Sequence, residues 1–149
     1  MSNIAAVIIA SAVMVFASGA AAQKLDASAI GEILEAESYS VSEFGSDMVA
    51  VTVADQVVLI GTEGPDADIS YIAYIPGLTE DMVGYEFLNN FNNAIKFGRV
   101  YVDGEGDVVV QYDRNAAGGV SPENIVEDFE LFLDLVSLFL SELANVELV

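Results

Sequence analysis

The sequence predicts an α+β fold, an antiparallel sheet with helices packed on it, in the order α-β-β-β-α-β-β-α. Three observations predict it. Met48, Ala50 and Thr52 alternate with Val49, Val51 and Val53, the period of two that a strand imposes. Connections between the strand-like segments are of hairpin length, too short for the crossovers of a parallel sheet. From Ser121 onward apolar residues recur at helical spacing, marking a long helix with one buried face.

The elements follow in order. Asp26 starts the first helix, where its carboxylate accepts from the free amides of the first turn, and Ile30, Ile33 and Leu34 make a short apolar face. Strands are expected at Met48–Val53, Val57–Gly61 and Ile69–Ile75. Ala54-Asp55-Gln56 is the turn between the first two, and Pro76-Gly77 closes the third. A second helix begins near Thr79, with Glu80 and Asp81 at its positive end, and runs to Gly98; Gly84 weakens it only modestly. Strands Arg99–Val102 and Asp107–Asp113 flank Asp103-Gly104-Glu105-Gly106, where Asp-Gly signals a tight hairpin. The last helix runs from Ser121 to about Ala144. Ser121 caps it, and Pro122 takes the first helical position, where its missing N–H costs nothing.

Composition narrows the chemistry. The 149 residues contain no Cys and no His, which excludes disulfides, thiolate metal sites, cysteine nucleophiles and the usual neutral-pH acid/base. A hydrolase would need two carboxylates in one cleft with separated pKa values, and no spacing selects such a pair. The expectation is a protein without catalytic residues and without a cofactor. Four basic residues face 24 acidic ones, a net charge of −20, and every charged residue lies after Gln23. That field repels nucleic-acid phosphates and anionic lipid headgroups, and leaves basic proteins, basic peptides and hard cations as partners.

The uncharged N-terminus reads as an address. Ile4 to Ala17 is nearly unbroken apolar sequence, and Ala20-Ala21-Ala22 supplies the small residues of a secretory cleavage site. Residues 1–22 are expected to be a signal peptide cut before Gln23, leaving one domain, 23–149, in the periplasm or secreted. The n-region lacks Lys and Arg, so the alternative is a retained anchor in the inner membrane formed by residues 4–22. Only in that case does the protein meet a membrane.

One stretch, Val102 to Ile125, is rich in acids and glycines and invites a metal reading. Asp103, Glu105 and Asp107 fit positions 1, 3 and 5 of a calcium loop. Position 6 is then Val108 instead of Gly, and position 12 is Arg114 instead of a bidentate Glu. The motif fails at its most discriminating places. A turn followed by a helix entry accounts for the whole stretch, with weak calcium binding at those three acids as the alternative. Neither phosphate-loop pattern is present.

The same stretch carries a resemblance. Asn92, Lys96, Phe97, Arg99, Tyr101, Asp103, Asp107, Gly118, Gly119, Val120 and Ser121 resemble the pattern of the YbjN-domain family, described as bacterial sensory transduction regulators. The likeness is clear over residues 80–143 and weaker over 26–75. This chain departs from the pattern at Glu37-Ser38, where many relatives have Gly, and at Phe91, where they often have Trp. The resemblance implies a fold similar to the type III secretion chaperones, small acidic α+β proteins, often dimeric, that bind other polypeptides. It implies no catalytic residues.

The last helix carries two apolar sets. Ile125, Phe129, Phe132, Val136, Phe139 and Leu143 form the core face, with Glu123, Glu127, Glu130 and Asp134 opposite. Leu131, Leu135 and Leu138 form a second set at i, i+4 and i+7, well off the first. One sheet face does not bury both. Either a neighbouring helix covers these leucines, or they meet a second subunit or another protein. The expected function is a non-enzymatic interaction module of the envelope, chaperone-like or regulatory. It would bind a polypeptide, a basic one being favoured by the field, or itself as a homodimer, through Leu131, Leu135 and Leu138. The alternative is an acidic calcium-binding protein.

Overall fold

The computed structural model describes residues 22–145; the signal or anchor expected at 1–22 lies, except for Ala22, outside the described residues. Asp26 caps α1 (Ala27–Ala36), its Oδ1 accepting from the Ala29 amide at 2.8 Å. Four strands follow: β1 (Ser40–Phe44), β2 (Met48–Val53), β3 (Gln56–Glu63) and β4 (Asp68–Thr79). A single turn, α2 (Glu80–Val83), precedes α3 (Tyr85–Ala94). β5 (Arg99–Val102) and β6 (Asp107–Arg114) complete one six-stranded antiparallel sheet in the order β1-β2-β3-β4-β6-β5, and α4 (Pro122–Leu143) ends the domain.

The α+β reading holds, with four differences of detail. β1 was not expected: Ser-Val-Ser-Glu-Phe has no apolar alternation, and it is an almost fully exposed edge strand held by pairing with β2. The second helix is two pieces, because Gly84 takes φ +72° and turns the chain between α2 and α3; in a continuous helix that residue would be right-handed. The helix also stops at Ala94, four residues before Gly98. β4 runs through Pro76-Gly77 to Thr79 because a bulge there loosens its pairing with β6.

The core lies between the sheet and the helices. α1 packs on β1, β2 and α4, while α4 lies over β4 and β6 and α3 against β5. Alternate residues of each central strand point to this side: Val49 and Val51, Val58 and Ile60, Ile69 and Tyr71, Val108 and Val110 are buried. From α4, Ile125, Phe129, Phe132 and Phe139 meet them with no exposed surface. Ser121 Oγ accepts from the Asn124 amide at 3.3 Å, so the predicted cap and the Pro122 entry set the start of α4. Among the described residues no helix is long and apolar enough to cross a membrane.

Candidate docking groove

The three leucines singled out in α4 come together at one surface groove. Leu131, Leu135 and Leu138 form one wall, and Ala94, Ile95 and Phe97 the other, around a cavity of about 230 Å³. A neighbouring hollow of about 410 Å³ shares Ala94, Ile95 and Leu138 and extends the groove to Phe87, Asn90 and Glu142. Leu131 and Leu138 are 38% and 45% exposed, whereas Leu135 is nearly buried at 8%. The neighbouring segment therefore covers one leucine of the set and leaves two open. Phe97, half exposed, stands at the rim.

Two features hold the far wall in place. Asn92, on α3, donates from Nδ2 to the Val100 carbonyl and accepts at Oδ1 from the Val100 amide, both at 2.8 Å. The side chain thus acts as a one-residue strand neighbour for β5 and blunts that sheet edge. Gly98 lets the chain return close to the sheet. Its φ is +74°, and a Cβ there would sit 2.8 Å from the Gln111 carbonyl oxygen and collide with Leu135 Cδ2. Between these two anchors the Ile95–Phe97 segment is pinned against α4, and Leu135 is buried under it.

The charges around the groove are uneven. Glu127, Glu130, Asp134 and Glu142 are exposed along α4. Lys96 lines the groove beside Asp134, its Nζ 5.7 Å from the centroid of the Phe97 ring. The other three basic residues are engaged. Lys24 donates to the Pro65 carbonyl, Arg99 pairs with Asp113, and Arg114 pairs with Asp128.

Those two arginine pairs tie β6 to its surroundings on opposite sides of the sheet. Asp113 faces away from the helices, where Arg99, Gln111 and Ser70 all donate to it. Partial burial opposes its ionisation, but those three donors outweigh burial and hold the carboxyl below its ordinary range. Arg114 faces α4 and grips the buried Asp128 through both carboxylate oxygens at 2.9 and 2.7 Å, while the Tyr112 hydroxyl lies 3.1 Å from Asp128 Oδ1. Burial first, then the Asp128 charge, pushes the Tyr112 phenol up. Tyr71 stacks on Tyr112, and its hydroxyl is buried without a hydrogen-bond partner among the described residues.

Asp128 escaped the sequence reading, although a signal for it existed. It follows Ile125 by three residues and precedes Phe132 by four, so it falls on the core face of the helix. An acid there needs a cation, and the chain has only four to offer. Its role is to lock α4 to β6 beneath the groove, since Tyr112 also lines the cavity.

The acids of the β5–β6 loop are placed differently. Asp103 Oδ1 accepts from the amides of Glu105 and Asp107 at 2.9 and 3.0 Å, closing the turn. The expected hairpin connection over Asp103-Gly104-Glu105-Gly106 forms, but the left-handed position is taken by Gly106, at φ +94°, and not by Gly104. Among the described residues, no group of three or more acids is arranged to hold a metal ion.

Fold and surface together define the class: a small, strongly acidic α+β domain with an open antiparallel sheet and a groove beside its last helix. The chain belongs to the YbjN family, whose model, described as "Putative bacterial sensory transduction regulator", matches residues 27–145. That description is of a regulator and not of an enzyme. No curated protein sequence matches the chain. Among solved structures it is similar to YbjN from E. coli, described as "a putative transcription regulator", with a TM-score of 0.66 and 15% identity. The match covers 86% of this chain and 98% of that one. At that identity the likeness establishes the shared fold.

Proposed function

We propose that this protein is a non-enzymatic interaction module that binds a polypeptide partner in the groove along α4. The observation that carries this is the pair of exposed leucines, Leu131 and Leu138, set in a groove with Phe97 and flanked by Asp134 and Glu142. Exposed apolar surface that is contiguous and rimmed by charge is the common mark of a docking site. The regulator description of the family supports a binding role of this kind. Residues 1–22 supply the address, so the module works in the bacterial envelope, either released after cleavage or tethered by that segment.

Hydrogen–deuterium exchange of the 149-residue protein in an envelope extract tests this reading. Protection is expected over Ile95–Phe97 and Leu131–Leu138 relative to the purified protein, and it should disappear in a Leu131→Ser/Leu138→Ser variant. Protection confined to the opposite sheet face, where Phe44, Val57 and Tyr74 are exposed, would move the docking surface there and sink the proposal.

A further inference from the structure

We infer that the occupant of this groove is an amphipathic helix with a basic N-terminal half, lying antiparallel to α4. The inference rests on the docking reading above and adds the chemistry and direction of the partner.

The shape argues for a helix. The α4 wall runs from Leu131 through Asp134, Leu135 and Leu138 to Glu142. At about 1.5 Å per residue that wall is about 16 Å long, or about three turns of a facing helix. Such a groove, walled by α4 on one side and by the end of α3 and the Ile95–Phe97 segment on the other, suits anchors at i, i+3/i+4 and i+7 on one face of the occupant. α3 lies along the other wall at the Glu142 end, where Phe87 and Phe91 pack on Phe139 of α4.

The charges set the partner's composition and direction. At one end stands Glu142, with the exposed Glu86 preceding Phe87 on the facing wall, and no basic residue lies in the last turn of α4. At the other end stands Lys96, the basic residue of the groove lining, beside Asp134 and with the exposed Glu127 and Glu130 farther along α4, so the groove's positive charge is confined to that end. A helix carries a positive partial charge at its N-terminus and a negative one at its C-terminus. Its N-terminus, strengthened by Lys or Arg, therefore belongs at the Glu142 end, and its C-terminus beside Lys96. A second copy of this chain fits worse, because two chains of −20 would bring like-charged rims together.

The test uses two fluorescent synthetic helices of identical composition with the same leucine stripe. One carries Lys in its N-terminal half and Glu in its C-terminal half; the other has the charges exchanged. Fluorescence anisotropy with the full-length protein at low salt should show the first binding about threefold tighter, the worth of a few exposed charges and helix ends. Lys96→Glu should abolish that preference, and Leu131→Ser/Leu138→Ser should weaken both peptides about tenfold through lost apolar burial. Equal binding of the two peptides that still depends on the leucines would overturn the direction and leave the docking reading standing. Binding indifferent to the leucines would be attraction to a charged surface, and both readings would fall. Self-association of the protein alone, broken by the leucine variant in light scattering, would make the occupant a second copy. Binding that appears only after deletion of residues 146–149 would make it the chain's own end.

Discussion

Helix α4 presents two apolar stripes of similar residues at similar spacing, and they have opposite fates. Phe129, Phe132 and Phe139 are fully enclosed, whereas Leu131 and Leu138 stay open and only Leu135 is covered. Spacing reports which side chains share a face, but not what packs on that face. The first stripe is sealed because the sheet lies beneath it, through Tyr71 and Val110, and because Phe87 and Phe91 close on Phe139 from α3. The second stripe meets one short segment, and that segment reaches only its middle.

The largest expected effects lie on the first stripe. Phe139→Ala removes a ring in contact with Phe87 and Phe91, and should cost about 3–5 kcal/mol of unfolding free energy by urea titration. Asp128→Ala comes next, at about 2–4 kcal/mol, because it strips the partner from Arg114, whose side chain is only 28% exposed. A double replacement by apolar residues, Asp128→Leu with Arg114→Met, should recover most of that loss. Recovery would identify the cost as an unpaired charge instead of lost packing.

Much of this architecture was readable because its determinants are local. The β2–β3 hairpin follows from the alternation over Met48–Val53 and the short turn after it, and the starts of α1 and α4 follow from Asp26, Ser121 and Pro122. β1 was not readable, since an exposed edge strand is made by its partner more than by its own sequence. The break at Gly84 depends on a left-handed backbone that the helical pattern around it conceals. For the groove, the leucine wall was visible as a second helical stripe. The facing wall was not, because Phe97 reaches α4 only through the Gly98 turn and the Asn92 clamp, both long-range features.

That facing wall is the place to sharpen the comparison. Gly98→Ala forces a side chain into a left-handed position and against the Gln111 carbonyl and Leu135. It should cost about 1–3 kcal/mol, measured by thermal or urea unfolding. It should also expose Leu135, so exchange protection of the Leu135 region would fall beyond the global loss. A variant as stable as the parent would mean that the loop does not hold the groove in shape.

The smallest stability effect belongs to the second stripe, and it is the most informative. Leu131→Ser and Leu138→Ser each remove a side chain that is more than a third exposed in the free protein. Little apolar burial is lost, so each should shift stability by less than about 1 kcal/mol, several-fold less than Phe139→Ala at a neighbouring position of the same helix. Polar replacement also lowers any tendency to aggregate, so expression should hold or improve. Urea midpoints for the four proteins, parent, two singles and the double, decide the matter. Near-parent stability with lost partner binding makes these leucines a surface kept apolar for contact. Losses of 2 kcal/mol or more, on the scale of a buried leucine, would show that the stripe is covered in the free protein, and the groove would be a feature of packing alone.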